Sequence, residues 1–214
     1  KIISILGNDI RTILLGFMLA AFLLSMWISN IATTMVMLPT VMAIIANLNE
    51  KHSKNAAPIM LLATAYAASI GGTASLTGTA PNLICFNVFE KSFPEFTQMS
   101  FGSWFLFGFP TAFCVLIASF LFLKTSLPKN VKVNITEAVP SKMSYEEKIV
   151  ALIFGVVALL WFTRKDLTIG NFDFIGWSSI IPYGSLFSDA TIAILFSETN
   201  FSKLLSLKKD IKEE

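Results

Sequence analysis

The sequence predicts an all-α, polytopic membrane protein built around a re-entrant helical hairpin and a transmembrane helix unwound at its middle. Three observations carry that expectation. Of 214 residues, 54% are hydrophobic and 14% charged, with 20 phenylalanines and a mean hydropathy of +0.69; an ordinary soluble domain carries about 25% charged residues. A knot of small polar residues, Ser29-Asn30-Ile31-Ala32-Thr33-Thr34, interrupts uncharged sequence on both sides. A second interruption, Ser69 to Asn82, holds three glycines, a proline and five hydroxyl residues within fourteen positions. At membrane depth an unpaired polar group costs several kcal/mol, so such breaks belong where backbone lines a cavity or grips a ligand. A net charge of +2 is too small to point to nucleic acid.

Taken in order, Lys1 to Asp9 is an entry segment and 10–48 is the hairpin. The run before its tip, Thr12 to Ile28, is uncharged. The second arm, Met35 to Leu48, has 14 residues, short of the ~20 needed to cross ~30 Å of hydrocarbon. Two ordinary spans joined by a tight turn remain the alternative. Asn47 to Asn55 is expected to be a polar link with His52 as a solvated loop residue. The broken helix covers 56–89, and its small residues could instead be a packing patch between tightly crossed helices. Cys85 and Cys114 sit in apolar sequence and are expected to be buried packing residues.

Glu90 to Ser100 is expected to be an aqueous loop, and Phe101–Leu123 an uncharged span kinked at Pro110. Residues 124–143 form a basic loop. Ser144-Tyr145-Glu146-Glu147 has capping-box spacing and starts a helix running to Phe162. Ser188-Asp189-Ala190-Thr191 has the pattern of a helix start, with Asp189 near the positive end of the dipole. Residues 197–214 are a polar tail. If the links 47–55 and 124–148 are cytoplasmic, eight basic residues lie on that side and three on the other, as the positive-inside rule requires. Two glycosylation sequons begin at Asn134 and Asn200, the first of which this orientation keeps cytosolic.

An interrupted membrane helix offers carbonyls at one half's C-terminus and amides at the other half's N-terminus. Carbonyl, hydroxyl and amide oxygens are hard neutral donors suited to Na⁺ (compare). Amides and the positive dipole end suit a carboxylate or a sulfate. Neither break contains Lys or Arg, so an anion bound there would need a cation to offset its charge. Cotransport follows from that electrostatics. A nucleophile or metal cluster at depth is not evident, so no enzyme is expected.

Ser25-Met26-Trp27-Ile28-Ser29-Asn30-Ile31-Ala32-Thr33-Thr34 with Met37-Leu38-Pro39, followed by Gly78-Thr79-Ala80-Pro81-Asn82, resembles the divalent anion/Na⁺ symporter family of di- and tricarboxylate and sulfate carriers. The resemblance covers roughly 10–196. It implies two inverted repeats, alternating access and a homodimeric scaffold, in a multi-pass protein of the plasma membrane. On that pattern 1–123 is the C-terminal part of the first repeat, and 144–196 is the truncated start of the second. Na⁺ would lie near Ser25, Ser29, Asn30 and Gly78, with Ser29 and Asn30 also facing a substrate carboxylate. Thr79, Pro81 and Asn82 would shape the unwound loop behind the ion. The implied activity is sodium-coupled symport of succinate- or citrate-class anions, by an incomplete chain inactive alone. Sulfate symport, and a non-transporting membrane or assembly module, are the alternatives. Two departures stand out: Ile31 occupies a position where the family usually has Thr, and Ala80 replaces a Pro.

Overall fold

Asp9 opens the first helix, its carboxylate accepting from the Arg11 backbone N–H at 2.8 Å. Helix α1 (Ile10–Ser25) is followed, after a turn at 26–29, by α2 (Asn30–Ala46). In this computed structural model residues 9–95, 100–128, 131–133, 144–169 and 172–196 are described. At 1.5 Å per residue, α1 and α2 are about 24 and 26 Å long, both under the ~30 Å hydrocarbon thickness.

Helix α3 (Glu50–Ala74) corrects two expectations. The polar link is only 47–49; Asn49 precedes the helix, Glu50 sits in its favourable first turn, and His52 is helical and half-buried. Polar residues at a helix entrance stay solvated without ending it, so polarity there did not mean loop. Nor does the helix yield at Ser69. It continues through Gly71 and Gly72, and the break narrows to 75–79. Glycine costs a helix about 1 kcal/mol, but here close packing compensates: a Cβ on Gly71 would collide with the Phe22 carbonyl and lie 2.8 Å from its Cα. Helix α4 (Ala80–Ser92) follows, with Thr79 before it and Pro81 in its first turn, so the expected aqueous loop also begins later.

Helix α5 (Phe101–Leu123) leads into a 3-10 turn, Lys124–Ser126. Among the described residues, two helical stretches, His52–Ala74 and Phe101–Ser126, are long and apolar enough to cross a membrane.

The described residues fall into two compact units, drawn from Lys1–Met99 with Trp104–Pro140 and from Ser100–Ser103 with Ser141–Glu214. In the first, α1 and α2 both pack on α3. The core joins Ile13, Phe17 and Phe22 of α1 to Val41 and Ile44 of α2, Met60 of α3 and Leu116 of α5. On α3 the facing side is small: Ala56, Ala63, Ala67 and Gly71 are all buried, letting backbones approach as membrane helices do. Leu127 and Val131 tie back to α1: Ile10 N–H donates to the Val131 carbonyl at 3.0 Å, and Arg11 Nη2 to that of Leu127 at 2.6 Å. Cys85 and Cys114 are exposed and free, not buried, because they lie on faces of α4 and α5 turned away from this core.

In the second unit, α6 (Tyr145–Phe162) starts with the expected capping box, Ser144 and Glu147 bonding each other's backbone N–H. Phe101 packs edge-on against Phe162, centroids 4.9 Å apart. An antiparallel pair, β1 (Leu167–Ile169) and β2 (Phe172–Phe174), was not foreseen. Its signal is Gly170-Asn171 between β-branched and aromatic residues. A short helix α7 (Trp177–Ile180), a 3-10 turn at Gly184–Leu186 and a helical stretch at 189–196 complete the unit. Ser188 Oγ caps that stretch, accepting from Thr191 N–H at 3.1 Å. Asp189 is held by a forked pair with Arg164, at 2.6 and 3.2 Å. The sequons at Asn134 and Asn200, most of the basic loop and the tail 197–214 lie outside the described residues.

Candidate functional site

Four helix ends meet where the two breaks lie. The C-termini of α1 and α3 bring carbonyls; the N-termini of α2 and α4 bring amides. Ser25, the last residue of α1, is fully buried, and its hydroxyl donates to Asn30 Oδ1 at 2.7 Å. Asn30 in turn lies against α3. A Cβ at Gly72 would collide with Asn30 Oδ1 and lie 3.0 Å from its Cγ. Gly78 closes the junction: a Cβ there would be 2.5 Å from the Gly72 carbonyl oxygen and 3.0 Å from that of Ser25. Three of the four residues expected to line an ion site, Ser25, Asn30 and Gly78, are therefore brought together by direct contact.

Ser29 is placed differently. It is exposed and its hydroxyl accepts from Ala32 N–H at 3.2 Å as the N-cap of α2. That bond uses one lone pair and leaves one for a ligand. Thr34 donates back to the Asn30 carbonyl at 2.8 Å, which stiffens the first turn.

Asn82 holds the break in shape. Its amide nitrogen donates to the Gly72 and Ser75 carbonyls at 2.8 and 2.7 Å, capping the frayed C-terminus of α3 from the first turn of α4. Ser75 is buried and bonds the Met26 carbonyl in the α1–α2 turn. From α5, Trp104 Nε1 donates to the Thr73 carbonyl at 3.2 Å. Thr79 precedes α4 in an extended conformation without a side-chain capping bond, and Pro81 is exposed in its first turn. The α4 amides are thus left uncapped by a side chain.

Gly72 was missed as a site residue. It contributes a carbonyl oxygen and the space Asn30 fills, and the Gly71-Gly72 pair was its only signal. The oxygens gathered here (Ser25 carbonyl and hydroxyl, Asn30 amide, Gly72 carbonyl) are all uncharged and hard. Such a set suits a small monovalent cation and gives a transition metal little purchase. Ile31, by contrast, is 78% exposed at the start of α2, presenting a branched hydrocarbon beside the polar tip.

A neutral oxygen cluster at the meeting of broken helices, beside helices of membrane-spanning length, is the architecture of a membrane carrier. The chain belongs to the CitMHS citrate transporter family, which matches over residues 1–206. It is similar to the sodium-dependent dicarboxylate transporter SdcS of Staphylococcus saprophyticus, 34% identical over 186 residues, covering 78% of this chain and 35% of that protein. The protein of the same name from Staphylococcus aureus strain NCTC 8325 is 36% identical over 185 residues, with the same two coverages. The chain thus spans 35% of the length of these relatives. The kinship expected from the two ordered motifs is borne out.

Proposed function

We propose that this chain is one portion of a sodium-coupled symporter of di- and tricarboxylate anions, a carrier and not an enzyme. Na⁺ is held by Ser25, Ser29, Asn30 and Gly78, and Thr79, Pro81 and Asn82 shape the loop behind it. The single observation that carries this reading is the contact of Ser25 and Asn30 with Gly72 and Gly78. It gathers neutral oxygens from both breaks without any ionisable side chain. The sodium dependence in the relatives' names supports the same choice of ion.

Binding is coupled because of what the site lacks. Carboxylate cargo meets the N-terminal amides of α2 and α4, beside Ser29 and Asn30, where dipole ends favour negative charge. No Lys or Arg lies in either break, so the cargo's charge is offset by the cation. Loading either partner raises affinity for the other, by thermodynamic reciprocity. The hairpin α1–α2 is re-entrant, its arms too short to span comfortably. The remaining portion of the carrier completes the site through an inverted second repeat, as a multi-pass homodimer in the plasma membrane that works by alternating access.

The test is uptake of labelled succinate, citrate and sulfate by the full-length carrier in proteoliposomes, with Na⁺ or choline outside. Accumulation of a carboxylate that needs Na⁺ is the expected result. Equal uptake in both media rejects sodium coupling. Na⁺-dependent uptake of sulfate alone replaces the carboxylate by the sulfate reading.

A further inference from the structure

Two hydroxyls beside the junction have no partner. Among the described residues, Thr33 Oγ1 and Thr77 Oγ1 are buried and unbonded, and Thr33 as a whole is 0% exposed. Each belongs to one of the two breaks. Thr33 stands one turn beyond Asn30 on α2, and Thr77 immediately precedes Gly78.

Thr33 departs from four other threonines on helices of the described residues. Thr34, Thr64, Thr111 and Thr163 each turn their hydroxyl onto the carbonyl four residues back, at 2.7 to 2.9 Å. That bond satisfies a threonine in an apolar setting. Thr33 forgoes it, although its own N–H bonds the Ser29 carbonyl at 2.9 Å in regular helical geometry. A side chain three residues from Asn30 shares its helix face, with Cβ atoms ~5–6 Å apart. Since Asn30 abuts Gly72, this is the face turned to α3. A buried hydroxyl without a partner is unfavourable. One such group on each side of a neutral oxygen cluster points to a shared ligand.

We propose that Thr33 and Thr77 are cation ligands, their hydroxyl oxygens completing the shell that Ser25, Asn30 and the facing carbonyls begin. The proposal rests on the sodium reading above and adds two residues to it. The hydroxyl of each supplies a lone pair to the ion while its proton remains free to bond a neighbouring carbonyl. Thr33 therefore tunes cation affinity directly, and anion affinity only through coupling.

Thr33→Val keeps the shape and removes the oxygen; Thr33→Ser keeps the oxygen. The full-length carrier is titrated with NaCl at constant ionic strength against choline chloride, without anion. The readout is the rise in unfolding temperature that a native-state ligand produces, followed by the Na⁺ half-saturation of uptake. Thr33→Val is expected to need roughly tenfold more Na⁺ in both measurements, the size of one lost bond to a charged partner. Thr33→Ser is expected to stay within about twofold, since the ligand oxygen remains. Thr77→Val supplies the same test from the other break should Thr33→Val fail to accumulate. Unaltered Na⁺ titrations in the valine variants, with a normal response in the parent carrier, overturn this proposal alone. A parent carrier without any Na⁺ response removes the sodium reading and this proposal together.

Discussion

Replacing Asn82 by Leu tests whether the break between α3 and α4 is a built structure. The wild-type amide donates to the carbonyls of Gly72 and Ser75 at 2.8 and 2.7 Å, and Asn82 is only 6% exposed. Leucine fills similar space and donates nothing. The Ser75 carbonyl keeps a longer bond from Gly78 N–H at 3.4 Å, whereas the Gly72 carbonyl loses its side-chain donor. With about 1–3 kcal/mol per buried group left unsatisfied, the sum is about 2–4 kcal/mol. At roughly 2–4 °C per kcal/mol for chains of 150–250 residues, the melting midpoint should fall by about 4–16 °C. Asn82→Asp should be less damaging at low pH, where the protonated acid can still donate one bond. Its stability should then decline as pH rises, because the ionised carboxylate faces two carbonyl oxygens. Asn87→Ala is the control: same helix, exposed, its amide bonded to the Leu83 carbonyl at 2.9 Å, and expected to cost less than about 0.5 kcal/mol. Tryptophan-monitored melting in detergent reads all four proteins. If Asn82→Leu melts with Asn87→Ala, the amide is not what holds the break.

Gly78→Ala should raise the Na⁺ half-saturation more than about tenfold, because the new methyl group would stand 2.5 Å from the Gly72 carbonyl oxygen and force the junction open. Gly155→Ala, where nothing lies within 4 Å, should leave Na⁺ dependence unchanged and gain up to about 1 kcal/mol from helix propensity; equal effects of the two on the titration count against the junction as ion site. Ile31→Thr should lower the half-saturation for succinate or citrate by a few-fold, roughly one added hydrogen bond to a charged group. An unchanged half-saturation places Ile31 away from the cargo.

The helical breaks were legible in the sequence because polar side chains at membrane depth must be bonded to something, so Ser29, Asn30 and the 69–82 cluster announced themselves. How far each break extends was not. Gly71-Gly72 looked like unwound backbone, since the propensity cost of glycine is local and readable. The gain from letting Phe22 approach is tertiary and invisible in one segment. The role of Asn82 was half legible: its place behind the loop was expected, its two hydrogen bonds to the Gly72 and Ser75 carbonyls were not, because register across a break depends on the loop's path. Asp189 was placed at a helix start correctly, yet its partner Arg164 lies 25 residues away and only folding reveals it. The β1–β2 pair escaped because three-residue strands carry too few alternations to stand out from apolar sequence.

Two readings of the glycine-rich stretch, close packing and unwinding for a ligand, need one another under the proposed function. The small face of α3 lets α1 settle backbone to backbone at Phe22, and Ser25 lies only one turn further on. Were α1 held off by larger side chains, the Ser25 carbonyl could not stand within 3.0 Å of a Cβ position at Gly78. Gly71→Ala should therefore act at the ion site without touching it. Its methyl group would meet the Phe22 backbone at 2.8 Å or closer, and an α1 moved by even half an ångström spreads the Ser25 and Asn30 oxygens from those of α3. The expected outcome is a raised Na⁺ half-saturation together with a lower melting midpoint, since rigid backbones have no side-chain rotamer with which to yield. A variant that loses stability and keeps its sodium titration would mean that packing and binding on α3 are separable, and that the close approach of α1 serves the fold alone.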